Sequence, residues 1–281
     1  KSTNVNVLIN FSKERKMKIK YKIAMLIALL GVISACSSES TPTYSDLGSD
    51  TYPQKFYVEY VPCTGGPDYS PEAFAETMLP TWQEIQVEID SSMVQSFGIA
   101  YEEQREDDAE GGFWQLVWNS KEDSQATWEN WNNYDRAQNF LTDNENILKC
   151  EAERTFSFDA YMPRDPFAMG DWDLTNFSSE YQLCTYNEGK GVEDLRAAID
   201  KFEVWLSSGL EYDEPYNYMI LAPDYEAEFD YAWGNFHQTV EGRKEGDAEF
   251  QATASDLNQE FQDIASCNDV RAYASGEIPL I

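Results

Sequence analysis

One short phrase, Glu-Tyr-x-x-Cys, is written twice: as EYVPC at Glu59–Cys63 and as EYQLC at Glu180–Cys184, 121 residues apart. Two further cysteines, Cys150 and Cys267, follow these phrases at separations of 87 and 83 residues and open the strand-like runs CEAERTFSF and CNDVRAY. A chain that repeats a unit with a cysteine near its start and another near its end is constrained to fold as two similar halves.

The two copies read alike between their cysteines. Lys55–Cys63 has the alternating aromatic and β-branched content of a strand. Ser70-Pro71-Glu72 predicts a helix start, with serine as the cap and proline at the first helical position. Phe74, Met78 and Ile85 follow at helical spacing. Leu195, Ile199 and Leu206 take the same places in the second copy, and Phe202 completes that stripe. Each copy then predicts a pair of strands joined by an acidic turn: 95–102 with 112–119, and 217–223 with 228–235. A second helix follows, marked by Phe250, Ala254, Leu257, Phe261 and Ile264, with Ala137, Phe140 and Ile147 matching part of this stripe in copy one. The last strand opens at Cys150 or Cys267. The order βαββαβ, twice, is that of the ferredoxin-like split βαβ unit. The expected fold class is α+β, with two tandem ferredoxin-like repeats forming an intramolecular dimeric α/β barrel. Its expected divisions are 1–36 (upstream segment plus signal peptide), 37–54 (tether), 55–161 (repeat 1), 162–178 (connector) and 179–277 (repeat 2). Trp172 and Phe177 in the connector are expected to pack over a barrel end.

In such a sheet strands 1 and 4 are antiparallel neighbours, so the end of one lies beside the start of the other. Of the three connectivities open to four cysteines, this predicts Cys63–Cys150 and Cys184–Cys267. Counting on in the same register places Glu59 opposite Arg154 and Glu180 opposite Arg271, all on the cysteine face, because side chains alternate with period two. Two readings follow: cross-strand ion pairs that fix register, or one Glu/Arg site per copy lining a shared cavity.

Charge narrows the class of partner. The chain has 20 basic and 51 acidic residues, and seven of the basic ones precede Cys36. So acidic a surface repels nucleic acid and anionic headgroups. Residues 17–36, MKIKYKIAMLIALLGVISAC, combine a basic start, an apolar run too short for a confident span, and Ile33-Ser34-Ala35-Cys36. This end resembles the lipobox of bacterial lipoproteins. The resemblance implies cleavage before Cys36, its lipidation, and a lipid-anchored exported protein at the outer membrane, facing periplasm or cell surface. Ser37–Gln54, rich in Ser, Thr, Pro and Tyr, would be the tether.

Two ferredoxin-like copies in one chain resemble the dimeric α/β barrels of NIPSNAP-like proteins and antibiotic-biosynthesis monooxygenases over Lys55–Glu277. At residue level FWQLVWNSKEDSQATWENW, Phe113–Trp131, is similar to that superfamily's third strand and second helix, where the helix often carries a His. Thr127 or Trp128 stands near that place here, so the resemblance carries over no catalytic residue, and no cofactor is expected. His237 is the single histidine. A His₂ or His₃ metal site cannot be built from this chain, and no metal is expected. There is no G-x-S-x-G elbow, P-loop or G-x-G-x-x-G. His237 is expected to face solvent or a helix entry. The runs Glu102–Asp108 and Asp224–Glu228 read as solvated acidic turns. Trp114 and Trp118 share a strand face, with Trp128 and Trp131 on the next helix; copy two keeps Trp233. These rings read either as core or as the lining of an apolar pocket. The candidate ligand-binding residues are therefore Glu59, Arg154, Glu180, Arg271, Trp114 and Trp118. The expected function is a monomeric, exported lipoprotein that binds a small apolar or aromatic ligand or a protein partner. The alternative is a cofactor-independent monooxygenase- or isomerase-like enzyme using the barrel cavity, and whether the chain is an enzyme stays open.

Overall fold

In the computed structural model, residues 54–281 are described, apart from 107, 109 and 166. Cys36, the signal-like run and nearly all of the expected tether lie outside the described residues.

Strand β1 (Gln54–Gly65) shows how the chain divides its faces. Tyr57, Val61 and Cys63 pack toward helices, while Val58 and Tyr60 point the other way into a separate apolar cluster. The next helix starts where Ser70 predicts: its hydroxyl accepts from the Ala73 N–H at 3.0 Å. It runs as α1 (Pro71–Ala73), a π-turn at Phe74–Met78, and α2 (Leu79–Glu88). The Leu79 N–H reaches back to the Phe74 carbonyl, one residue farther than in an α-helix, just before Pro80, which has no N–H to give. Strands β2 (Gln95–Tyr101) and β3 (Gly112–Trp118) follow, then α3 (Lys121–Asn132), α4 (Asp135–Asp143), β4 (Leu148–Cys150) and β5 (Phe156–Met162). The second half repeats the plan with β6 (Phe177–Tyr186), α5 (Val192–Leu206), β7 (Tyr216–Pro223), β8 (Tyr231–His237), α6 (Val240–Thr253), α7 (Ser255–Ile264), β9 (Ala265–Cys267) and β10 (Arg271–Glu277). The α5 stripe Leu195, Ile199, Phe202 and Leu206 is buried. The stripe from Phe250 to Ile264, expected as one helix, spans two: the chain leaves helical geometry at Ala254, with φ −127° and ψ 32°. Copy one breaks likewise between α3 and α4.

Within each half the strands lie in the order β2-β3-β1-β5 and β7-β8-β6-β10, all antiparallel. β5 pairs with β7 and β10 with β2, so the eight strands close into a barrel. The helices lie outside it. The barrel axis is filled by rings from both halves, among them Tyr60, Phe97, Phe158, Phe177, Tyr181 and Tyr273. Tyr60 and Tyr181, the tyrosines of the repeated phrase, meet there edge to face, with their hydroxyls 3.3 Å apart. Trp172 packs on Phe177, 6.1 Å between ring centres, at the edge of this cluster.

Both disulfides have the expected partners, Cys63–Cys150 and Cys184–Cys267. The register does not run on from them. Cys63 faces Cys150, but Tyr60 faces Phe156, so three residues are looped out as a 3₁₀ turn at Ala152–Arg154. Cys184 faces Cys267 while Tyr181 faces Arg271, a slip of one residue across 268–270. Glu59 therefore lies opposite Ser157, and Glu180 opposite Ala272. The expected Glu59–Arg154 and Glu180–Arg271 pairs do not form. Arg154 instead bonds Glu151 at 2.7 Å and Glu110 at 3.5 Å. Arg271 bonds Asp108 at 2.7 and 2.9 Å and lies over the Tyr101 ring.

The acidic hairpins are accordingly more than solvated turns. Asp108 and Glu102 of the first half hold Arg271 and Arg243 of the second. Asp224 of the second half accepts from Tyr57 at 2.9 Å and pairs with Lys121, both of the first.

Candidate ligand-binding site

The space between helices and sheet differs between the two halves. In the first it is closed by indoles. Trp82, Trp114, Trp118, Trp128 and Trp131 leave about 50 Å³, room for little more than water. Glu59 is buried here at 6% exposure and makes no ion pair among the described residues. One of its carboxylate oxygens accepts from the Trp118 Nε1–H at 2.8 Å and the Trp128 Nε1–H at 2.9 Å. Burial pushes the Glu59 carboxyl up. Glu59 also borders a hollow of about 440 Å³ with Trp128, Gln138 and Glu153.

The strand pairings align the second half with the first. Glu59 faces Leu116 and Glu180 faces Asn235. Two residues beyond each strand comes a matching helix cap: Ser120 accepts from the Asp123 N–H and Thr239 from the Gly242 N–H. Trp114 thus corresponds to Trp233, Leu116 to Asn235, Trp118 to His237 and Trp128 to Asp247. The two indoles that serve Glu59 have no counterpart around Glu180. In their place is a cavity of about 460 Å³, walled by Phe202, Trp205, Tyr216, Tyr231, Trp233, Phe250 and Phe261, with Glu180, Asn235, His237 and Asp247 among its polar lining.

The polar groups are ordered from beneath. The Asn235 side-chain oxygen accepts from the Tyr216 hydroxyl at 2.8 Å and the Trp233 Nε1–H at 2.7 Å, and its amide donates to Glu180 at 3.0 Å. Glu180 is 6% exposed. Burial first, then the charge of Asp247, push its carboxyl up. The nearest cation, Arg243, comes within 3.8 Å through Nε, but its terminal nitrogens bond Glu102 and Ser178. Of the two places the sequence suggests for His237, solvent or a helix entry, the structure shows the second: the residue ends β8, two residues before the Thr239 cap of α6, and is only 3% exposed. Its Nδ1 lies 3.4 Å from the Tyr212 hydroxyl, and its Nε2 has no partner among the described residues. Burial, helped by Arg243, pushes the imidazole down to about 3, so it is neutral across the ordinary pH range.

Of the sequence-predicted candidates, only Glu180 lines this cavity. Trp114 and Trp118 line the closed space of the first half, Glu59 borders its hollow of about 440 Å³, and Arg154 and Arg271 border none of the three. Sequence reasoning passed over Asn235 and Asp247. The signal for Asp247 was available: counting equal distances from Ser120 and Thr239 puts it at the Trp128 position. Among the described residues no three His, Cys, Asp or Glu side chains converge as a metal site, and no helix is long and apolar enough to cross a membrane.

No family model matches the chain, and no curated protein sequence matches it. Solved structures do. A chlorite dismutase variant from Candidatus Nitrospira defluvii matches with a TM-score of 0.48 at 8% identity, over 79% of this chain and 92% of that one. A provisionally assigned monooxygenase from Lactobacillus acidophilus matches with a TM-score of 0.46 at 10% identity, over 82% and 99%. Neither likeness bears on what this chain binds.

Proposed function

We propose that this chain is an exported lipoprotein, anchored through Cys36, whose two ferredoxin-like halves form an intramolecular dimeric α/β barrel, and whose second half binds a small, largely aromatic or apolar ligand. The observation that carries the binding role is the asymmetry between duplicated halves. Among the rings between helices and sheet the first half leaves about 50 Å³ and the second about 460 Å³, within the range of small-molecule sites; the first half's other hollow, about 440 Å³ beside Glu59, has only Trp128 and Trp131 as lining rings. The barrel axis, where the alternative enzyme would work, is filled by rings of both halves.

Restoring the first-half residue tests this directly. Asp247→Trp places an indole where Trp128 stands. It is expected to abolish ligand retention, measured by native mass spectrometry of protein purified from its own cells, while the thermal unfolding curve stays cooperative. Ligand retained at wild-type level by the folded variant would move the site elsewhere. The anchor has its own test. Cys36→Ser is expected to shift the chain from the membrane to the soluble exported fraction; a chain still in the membrane fraction would overturn lipid attachment at that residue.

A further inference from the structure

We infer that the ligand is an aromatic amine, held as a cation between the aromatic walls of the second half and the carboxylates of Glu180 and Asp247. The inference rests on the preceding reading of the cavity as a binding site and adds its chemical class.

The first half supplies the pattern. There a buried glutamate is served by aromatic rings that carry N–H donors, Trp118 and Trp128, both bonded to Glu59. In the second half the glutamate is kept, equally buried, and the ring donors are gone. An aromatic compound bearing nitrogen–hydrogen donors would restore both what the space and what Glu180 have lost.

The charge of the lining selects among such compounds. No Lys or Arg lines the cavity among the described residues, so an anion has no partner there. Two carboxylates line it, and Arg243, which reaches Glu180 through Nε at 3.8 Å and whose charge also acts on Asp247, has its terminal nitrogens held by Glu102 and Ser178. Asp247 makes no hydrogen bond or ion pair among the described residues, and it sits at the water-accessible mouth. The buried His237 adds a polar atom still to be satisfied. If the Tyr212 hydroxyl donates to the Pro215 carbonyl, as its 3.4 Å contact allows, it accepts from His237 Nδ1–H, and Nε2 is then an acceptor. Acceptors and negative charge inside an aromatic enclosure favour an organic cation, which gains from the ring faces as well as from the carboxylates. Gln182, Gln251 and Gln262 also line the space and can donate or accept, so they do not select.

Three probes of one shape separate the possibilities: tryptamine, 3-ethylindole and indole-3-propionate, titrated calorimetrically into the full chain at neutral pH. Tryptamine is expected to bind about tenfold tighter than 3-ethylindole, the effect of one charge-assisted hydrogen bond, and the propionate more weakly than either. Glu180→Gln and Asp247→Asn should each remove about that tenfold and leave 3-ethylindole within twofold. Asp247 lies at the mouth, so its variant reads the effect even if Glu180→Gln fails to fold. Equal affinity for amine and neutral probe, or tryptamine affinity unchanged in the folded variants, overturns the cation while the binding site stands. Binding of none of the three by folded protein overturns the site as well.

Discussion

His237 and Glu59 are both buried titratable groups, and they bias stability in opposite directions with pH. The folded imidazole is pushed down to about 3 from an ordinary 6.5, so between those values the unfolded chain takes up a proton that the folded chain refuses. The His237 contribution is therefore complete above pH 6.5 and lost as pH falls toward 3. By pH 4 the loss amounts to roughly 3 kcal/mol. His237→Gln should flatten that part of the profile: urea unfolding at pH 7 and pH 4 is expected to differ less in the variant than in the parent, and an identical pH dependence would contradict a buried neutral histidine. Glu59 acts the other way. Burial raises its carboxyl, so the folded chain holds a proton that the unfolded chain has already released, and stability falls as pH rises through that window. Glu59→Gln keeps an oxygen for the Trp118 and Trp128 donors and removes the buried charge. It should raise the urea midpoint at pH 7 and leave it nearly unchanged at pH 4, where the parent carboxyl is largely neutral. A lower midpoint at pH 7 would mean that the two indole bonds outweigh the cost of burial.

Each half is closed on itself by a disulfide that ties the end of its first strand to the short strand before its last, β1 to β4 and β6 to β9. The linked cysteines are 87 and 83 residues apart, so each crosslink removes roughly 4 kcal/mol of loop entropy from the unfolded chain. Replacing Cys184 and Cys267 together by serine should lower stability by about that amount, read as a shift in urea midpoint at constant slope; no shift would mean that the unfolded chain is already compact there. The same elements show what was legible beforehand. Strand order and cysteine partners follow from element order alone, because strands 1 and 4 are neighbours whatever the loops do. The Glu59–Arg154 and Glu180–Arg271 pairings depended on an unbroken ladder, and nothing in Glu151-Ala152-Glu153-Arg154 announces a turn: there is no glycine or proline in it. The helix stripes were visible, but their breaks at Asn133–Tyr134 and Ala254 were not, since neither carries a strong breaker. The site is hidden for a different reason. The spacing of the tryptophans suits core and pocket lining equally; in the first half they are the filling, and the cavity lies where the second half lacks them.

At the scale of the whole molecule the two halves share one apolar centre, so neither is expected to stand alone. The first half contributes Tyr60, Phe97, Val117 and Phe158 to the barrel axis, and the second covers them with Phe177, Met219, Leu221 and Tyr273. Residues 54–161 alone would expose that whole face to water, together with two unpaired edges: β2, which pairs with β10 in the intact chain, and β5, which pairs with β7. The ion pairs of the hairpins, Arg271 with Asp108 and Arg243 with Glu102, would also be lost. These pairs are largely buried, so their Coulomb gain is offset by the cost of desolvating both partners, and the shared rings and the two strand seams carry the association. The intact chain should therefore unfold in a single calorimetric transition. The isolated first half, refolded with Cys63–Cys150 closed, should elute as a dimer or larger species by size exclusion with light scattering. In such a dimer Tyr60 of each copy would sit where Tyr60 meets Tyr181 in the parent, and β5 of one copy would seek β2 of the other. A stable, monodisperse monomer of residues 54–161 with native-like tryptophan fluorescence would show that the axis rings are not needed to hold a half together.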